Sequence, residues 1–255
     1  MTLAPWAIAV LCGTATAAGF VDAIAGGGGL LTVPALMTFI PSPHLALATN
    51  KGQAVFGAVA SATSFWRGKS VDRARAPLAF LCGSVGAALG ALLQLRVRPE
   101  PLKPIALVLL VLAAAVVALR PLIIRDVKPH AISGRGSNLS LATIAVTIGG
   151  YDGFFGPGTG SLLIIAFVTF HGDTMTRASG NAKIVNLASN LTSFGIFAVK
   201  GTIIWSVALP MAACSAVGAA LGARVAMKRG DAFVRFVVLA VVGALVVKLA
   251  FDLVH

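Results

Sequence analysis

Charge is what this sequence has least of: only 11% of its residues are Asp, Glu, Lys or Arg, and only eight of the 255 are acidic. A domain that meets water on all sides needs roughly a quarter of its residues charged. That scarcity, with 58% hydrophobic residues and a mean hydropathy of +0.94, excludes a soluble globular chain and leaves lipid as the solvent. Cysteine is scarce too. Cys12, Cys82 and Cys214 all lie in apolar segments with no CxxC pair or metal spacing, so they read as small packing residues. The four histidines, His44, His130, His171 and His255, lie in loops or at the end without ligand spacing. No P-loop is present, so nothing points to ATP as the driving force. There is no HExxH, no GxSxG and no cysteine–histidine cluster, so neither a metal nor another cofactor is expected. The net charge of +12 would suggest nucleic acid in a soluble chain, but here most basic residues stand between apolar runs, where they mark the cytoplasmic side of a membrane.

What is present is a series of apolar segments, at about 3–24, 30–40, 44–66, 76–95 and 101–120, then 139–155, 161–170, 178–199, 203–225 and 232–253. The first lacks a basic leader and has a counterpart in mid-chain, so it reads as mature structure. The order long, short, long, long, long occurs twice, and the residues repeat with it. Val-Gly-Ala-Ala-Leu-Gly-Ala stands at 85–91 and again at 217–223. Thr38-Phe39 and Asn50 recur as Thr169-Phe170 and Asn181, 131 positions on, and Asp22 recurs as Asp152, 130 positions on. Near-constant offsets indicate duplication. The expected fold is an all-α polytopic membrane protein of two repeats of about 130 residues, with about 8–10 apolar segments. The repeats are 1–120 and 139–255, joined by a basic cytoplasmic linker, 121–138.

Basic residues orient the repeats. If each half crosses the membrane an even number of times, the two sides carry nine and eight Lys and Arg; with an odd number they carry thirteen and four. The positive-inside rule favours the odd case, in which the halves are inverted and both termini lie outside. Whether 30–40 and 161–170 cross fully or are re-entrant is left open, since both give the same parity.

Three features carry chemistry. The first is the glycine run Gly26, Gly27, Gly28 and Gly29 with its partner Gly156, Pro157, Gly158, Thr159 and Gly160. Consecutive glycines inside an apolar run break a helix, at about 1 kcal/mol each relative to alanine, and proline removes a further donor. Broken backbone at membrane depth persists only in protein or along a wet cavity. The helix that restarts after each break presents free N–H groups and a positive dipole end, which suits an anion. The second feature is Asp22 and Asp152, each four residues before a break, as proton- or cation-coupling groups or as structural acceptors. The third is Asn50 and Lys51 with Asn181 and Lys183, an Asn and a Lys near the start of a span in each copy. Asn186, Ser189 and Asn190 continue a polar stripe in the second copy, with Gln53 and Ser61 its weaker echo. The repeated Val-Gly-Ala-Ala-Leu-Gly-Ala reads as close helix packing.

The run from Gly19 to Pro34, followed by Ala48-Thr49-Asn50, resembles the signature of the TauE/SafE family of membrane permeases for sulfite, sulfonates and related sulfur compounds; residues 149–163 and 179–181 resemble its repeat. The Gly-Pro-Gly-Thr-Gly of the second copy departs from the plainer glycine run common there. The resemblance implies secondary transport of a small anion, often a sulfur oxyanion or organosulfonate, across a bacterial inner membrane. Backbone N–H groups at the breaks would bind it, with Thr32, Asn50, Thr159, Ser161 and Asn181 as further donors, Lys51 and Lys183 as countercharges, and protons as coupling ion. A homodimer is compatible with this. An uncoupled anion channel is the alternative, and a membrane-embedded transferase is a weaker one, since no span pairs a cysteine with a histidine.

Overall fold

Chain breakers set the element boundaries. In the computed structural model, which describes residues 3–125 and 135–254, α1 (Pro5–Ala25) stops at the glycine run, where Gly26 takes a left-handed φ of 76° and returns its N–H to the Asp22 carbonyl. α2 (Gly29–Phe39) then restarts, and α3 (Pro43–Arg67), α4 (Ala76–Arg96) and α5 (Pro99–Arg125) follow, each opening on a proline at its first or second position. The second copy repeats the order. α6 (Arg135–Phe154) ends at Gly156–Gly158, whose φ values at Gly156 and Gly158 are 103° and 81°. α7 (Thr159–His171), α8 (Met175–Val199) and α9 (Trp205–Val254) complete it. Among the described residues every regular element is helical.

Among the described residues four stretches are long and apolar enough to cross a membrane: α1, α4, α8 and the Trp205–Arg229 part of α9. α2 and α7, with 11 and 13 residues, are only about 16 and 20 Å long, too short to cross a core of about 30 Å alone. The segments expected at 30–40 and 161–170 are therefore half-length helices. One sequence boundary is corrected. The segments expected at 203–225 and 232–253 form one helix, because the polar stretch between them contains no proline, and its one glycine costs about 1 kcal/mol, too little to end a long helix. The expected linker is helical at both ends, where α5 runs on to Arg125 and α6 begins at Arg135; its centre, 126–134, lies outside the described residues.

The repeated glycines bring helices of the two copies together crosswise. A side chain on Gly86 or Gly90 of α4 would strike the α6 backbone at Val146 or Gly150, and one on Gly218 or Gly222 of α9 would strike the α1 backbone at Thr16 or Phe20. The motif's role as a packing surface holds in both copies: small residues let backbones approach closely where lipid supplies no hydrophobic drive. A buried apolar cluster including Ala23, Ile24, Phe65, Ile164, Phe167, Ala182 and Val185 joins the copies.

Candidate functional site at the two helix breaks

The two breaks lie against each other. No side chain would fit on Gly26 or Gly160, because each backbone occupies the other's space. The Ser161 N–H donates to the Gly26 carbonyl at 3.2 Å, and the Ser161 hydroxyl donates to the Ala25 carbonyl at 2.6 Å. A Cβ on Gly29 would stand 2.9 Å from the Pro157 Cα. Within the second break, Thr159 Oγ1 donates to the Gly156 carbonyl and Tyr151 Oη to the Pro157 carbonyl, both at 2.6 Å.

The charged residues pair crosswise between the copies. Lys51 Nζ on α3 lies 2.6 Å from Asp152 Oδ1 on α6, and Lys183 Nζ on α8 lies 2.5 Å from Asp22 Oδ2 on α1. Both ammonium groups and Asp152 are almost fully shielded, whereas the Asp22 side chain keeps 28% of its surface. An unpaired charge at such depth is strongly unfavourable, so each pair locks one copy to the other. Asp152 Oδ2 also accepts from Ser189 Oγ, from Asn186 Nδ2 at 3.2 Å and from Asn190 Nδ2 at 3.5 Å. Asp22 Oδ1, among the described residues, accepts the Gly28 N–H alone, at 3.3 Å.

A cavity of about 50 Å³ opens between these pairs, enough for a few waters or a small anion. Of the residues expected at the site, Asp22, Gly28, Gly29, Thr32, Asn50, Lys51, Asp152 and Gly156 line it. Gly26, Gly27, Gly158, Thr159, Gly160, Ser161, Asn181 and Lys183 do not. On the first-copy side, Asn50 Oδ1 accepts from Thr32 Oγ1 at 2.7 Å and from Gln53 Nε2 at 3.0 Å. Gln53 Oε1 lines the cavity region, buried and without a hydrogen-bond partner. Asn181 sits elsewhere. Its Nδ2 donates to Asp173 Oδ2, and its Oδ1 accepts the Asp72 N–H, both at 2.7 Å.

Asn181 thereby joins a charged latch that sequence reading missed. Arg75 bridges Asp72 at 2.7 Å and Asp173 at 3.0 Å, and Arg177 reaches Asp72 at 2.9 Å. Burial alone would raise the Asp72 carboxyl, but hydrogen bonds and charge from Arg75, with a bond from Arg177, outweigh it and hold the group down to about 2. Burial would likewise lower Arg75, and its two carboxylates reverse this. The one available signal was that Asp72 and Asp173 are two of only eight acidic residues. The small residues that shape the cavity, Gly19, Ala54, Gly57 and Ala58, gave no sequence signal beyond their size.

Paired helix breaks, buried crosswise ion pairs and a small polar cavity inside an apolar helical body define a polytopic membrane protein of the transporter class. The chain matches the family described as "Sulfite exporter TauE/SafE" over residues 11–249, and it belongs to that family. It is 36% identical to the "Probable membrane transporter protein YfcA" of Escherichia coli K12, across 98% of this chain and 92% of that one. It is also similar to the "Probable membrane transporter protein ORF9" of a Sinorhizobium species, at 37% identity over 97% and 94% of the two chains. A "Probable membrane transporter protein" of Haemophilus influenzae is 36% identical, over 96% and 95%. No solved structure matches this chain.

Proposed function

We propose that this membrane transporter carries a small anion, a sulfur oxyanion or an organosulfonate, by alternating access between two inverted halves. The observation that carries the reading is the cavity between the two breaks, lined by Lys51, Asn50, Thr32 and the start of α2, with a carboxylate–ammonium pair on either side. Thr32 holds Asn50 in place, the Asn50 amide offers a side-chain donor, Lys51 offers charge, and the α2 N-terminus adds its dipole. Each ammonium already holds a carboxylate, so an entering anion competes with Asp152 for Lys51 or with Asp22 for Lys183. A carboxylate so displaced needs a proton, which makes Asp22 or Asp152 the coupling group. Thr159, Ser161, Asn181 and Lys183 would take their turn in a second conformation, in which the α7–α8 half opens.

The inverted arrangement is supported by two contacts. Arg177 at the start of α8 pairs with Asp72 in the loop after α3, and Thr49 near the start of α3 accepts the N–H of Ile204, just before α9. Halves crossing an even number of times would put each of these partners on opposite sides of the membrane. Inversion also makes the crosswise pairs Lys51–Asp152 and Lys183–Asp22 two versions of one contact. The basic loops then face the cytoplasm and the N-terminus faces outward, in a bacterial inner membrane; the expected outward C-terminus is given up, because α9 runs on from the basic stretch without turning back.

Flux of radiolabelled sulfite into proteoliposomes tests the reading. Saturable uptake, reduced at least tenfold in a Lys51→Ala, Lys183→Ala double variant, is expected. Undiminished uptake in that variant removes the charge assignment, and unsaturable currents independent of a pH gradient identify a channel instead.

A further inference from the structure

The two carboxylates at the cavity are held in unequal ways. Asp152 is almost fully buried and takes four side-chain donors, from Lys51, Asn186, Ser189 and Asn190. Asp22 takes one side chain, Lys183, and one backbone N–H, and it keeps more than a quarter of its surface free toward the cavity. The cause lies in the sequence. At the 132-residue offset that relates Lys51 to Lys183, the residues matching Asn186, Ser189 and Asn190 are Ala54, Gly57 and Ala58, none of which has a side chain that can donate. The cavity occupies this space. Ala54, Gly57 and Ala58 of α3, Ala18 and Gly19 of α1, and Ser215 of α9 leave room beside Asp22, where the other copy has filled the equivalent space with amides and a hydroxyl.

From this we infer that Asp22, and not Asp152, takes up the coupling proton, one for each single negative charge carried. The inference rests on the transport reading above. The charges at the site balance: Asp22, Asp152 and Lys51 line the cavity, with no titratable lining residue from α2 or α9, and Lys183, buried outside the lining, pairs with Asp22. An anion entering this neutral set adds an uncompensated negative charge at low dielectric. Protonation of Asp22 in the empty site strands the ammonium of Lys183, which has no exposed surface. Each event alone is unfavourable for the same reason, and together they cancel. The proton comes from the water that the cavity meets and binds an oxygen of Asp22. Lys183 keeps its charge beside the cavity, where it now compensates the anion in place of the Asp22 carboxylate. On release, the anion and the proton leave together and the Asp22–Lys183 pair re-forms. Asp152 cannot serve in this way, because three neutral donors hold its charged form whether or not Lys51 is engaged.

The test uses full-length protein in proteoliposomes with labelled sulfite, comparing Asp22→Asn with wild type. Sulfite's own protonation is identical for both proteins, so any difference reads residue 22. Wild type should accumulate sulfite several-fold above equality when the outside is acid. Asp22→Asn should exchange internal for external sulfite but reach only equality, with a pH response below about twofold. Asp22→Glu should restore the accumulation. Gradient-driven accumulation persisting in Asp22→Asn overturns the assignment, as does its loss in Asp152→Asn with exchange preserved. If Asp22→Asn does not purify, the Asp22→Asn, Lys183→Gln double variant, which strands no charge, replaces it, and gradient-driven accumulation there overturns the assignment equally. A wild type that exchanges sulfite with no response to the gradient also overturns it while leaving transport standing. A wild type that moves no sulfite overturns the transport reading itself.

Discussion

Removing one partner of the Lys51–Asp152 pair should cost much more from the aspartate side than from the lysine side. Asp152→Asn leaves the Lys51 ammonium in a position with 3% side-chain exposure, with the Asn190 Oδ1 oxygen 3.4 Å away as its remaining acceptor. Stranding a buried charge in this way costs about 3–5 kcal/mol. Lys51→Met leaves the Asp152 carboxylate with Asn186, Ser189 and Asn190, and hydrogen bonds to a charged group contribute about 1.5–3 kcal/mol each. That remaining solvation should limit the loss to about 1–3 kcal/mol. The double variant buries no charge, and the carboxamide that replaces the Asp152 carboxylate can still meet the neighbouring amides, so it should lie about 1–2 kcal/mol below wild type. The summed losses of the two singles then exceed that of the double by at least about 2 kcal/mol, the coupling energy of the pair. Equilibrium unfolding in mixed detergent–SDS micelles, followed by helicity, measures all four corners of the cycle. Equal losses for the two singles, or a double variant as unstable as their sum, would refute the claim that Asp152 is solvated independently of Lys51.

Other expectations follow from the breaks, the latch and the topology. Gly26→Ala forces a left-handed alanine, at about 1–2 kcal/mol, and drives a methyl into the Gly160 backbone, whereas Gly27→Ala meets only the far end of Leu30; the first should lower thermal stability and abolish sulfite uptake, and the second should leave stability within about 1 kcal/mol. Because Asp72 titrates below its ordinary 3.8, at about 2, its share of stability is complete above pH 4 and is lost as pH falls toward 2. Wild-type unfolding should therefore show an extra loss of at most about 2 kcal/mol over that window, absent in Asp72→Asn. In a background without Cys12, Cys82 and Cys214, cysteines placed at Lys69 and Lys200 should react with a membrane-impermeant maleimide from opposite sides, the first from the cytoplasm; labelling from one side would rule out inverted halves.

The sequence was legible wherever a residue type dictates backbone form or where the duplication repeated it. The glycine runs marked both helix breaks to within a residue or two, and Val-Gly-Ala-Ala-Leu-Gly-Ala marked the packing surface, because only small residues tolerate the approach of α4 to α6 and of α9 to α1. The boundary near 226–231 was misread because polar residues resemble a loop, although without proline a helix can carry them into headgroups or water. What pattern alone could not give was pairing. Asp22, Lys51, Asp152 and Lys183 were all visible, but each lysine is far closer in sequence to the wrong aspartate. Only the crosswise seating of the copies decides that Lys51 meets Asp152 from 101 positions away, and Lys183 meets Asp22 from 161. Duplication also misleads when it is taken as equivalence. Asn50 and Asn181 occupy the same place in the repeat, yet one lines the cavity and the other closes a latch. Where one copy sets Asn186, Ser189 and Asn190 around its carboxylate, the other has Ala54, Gly57 and Ala58. A perfectly repeated chain would hold both aspartates alike. Under the proposed coupling, the difference between the copies carries the chemistry, and their likeness carries the fold.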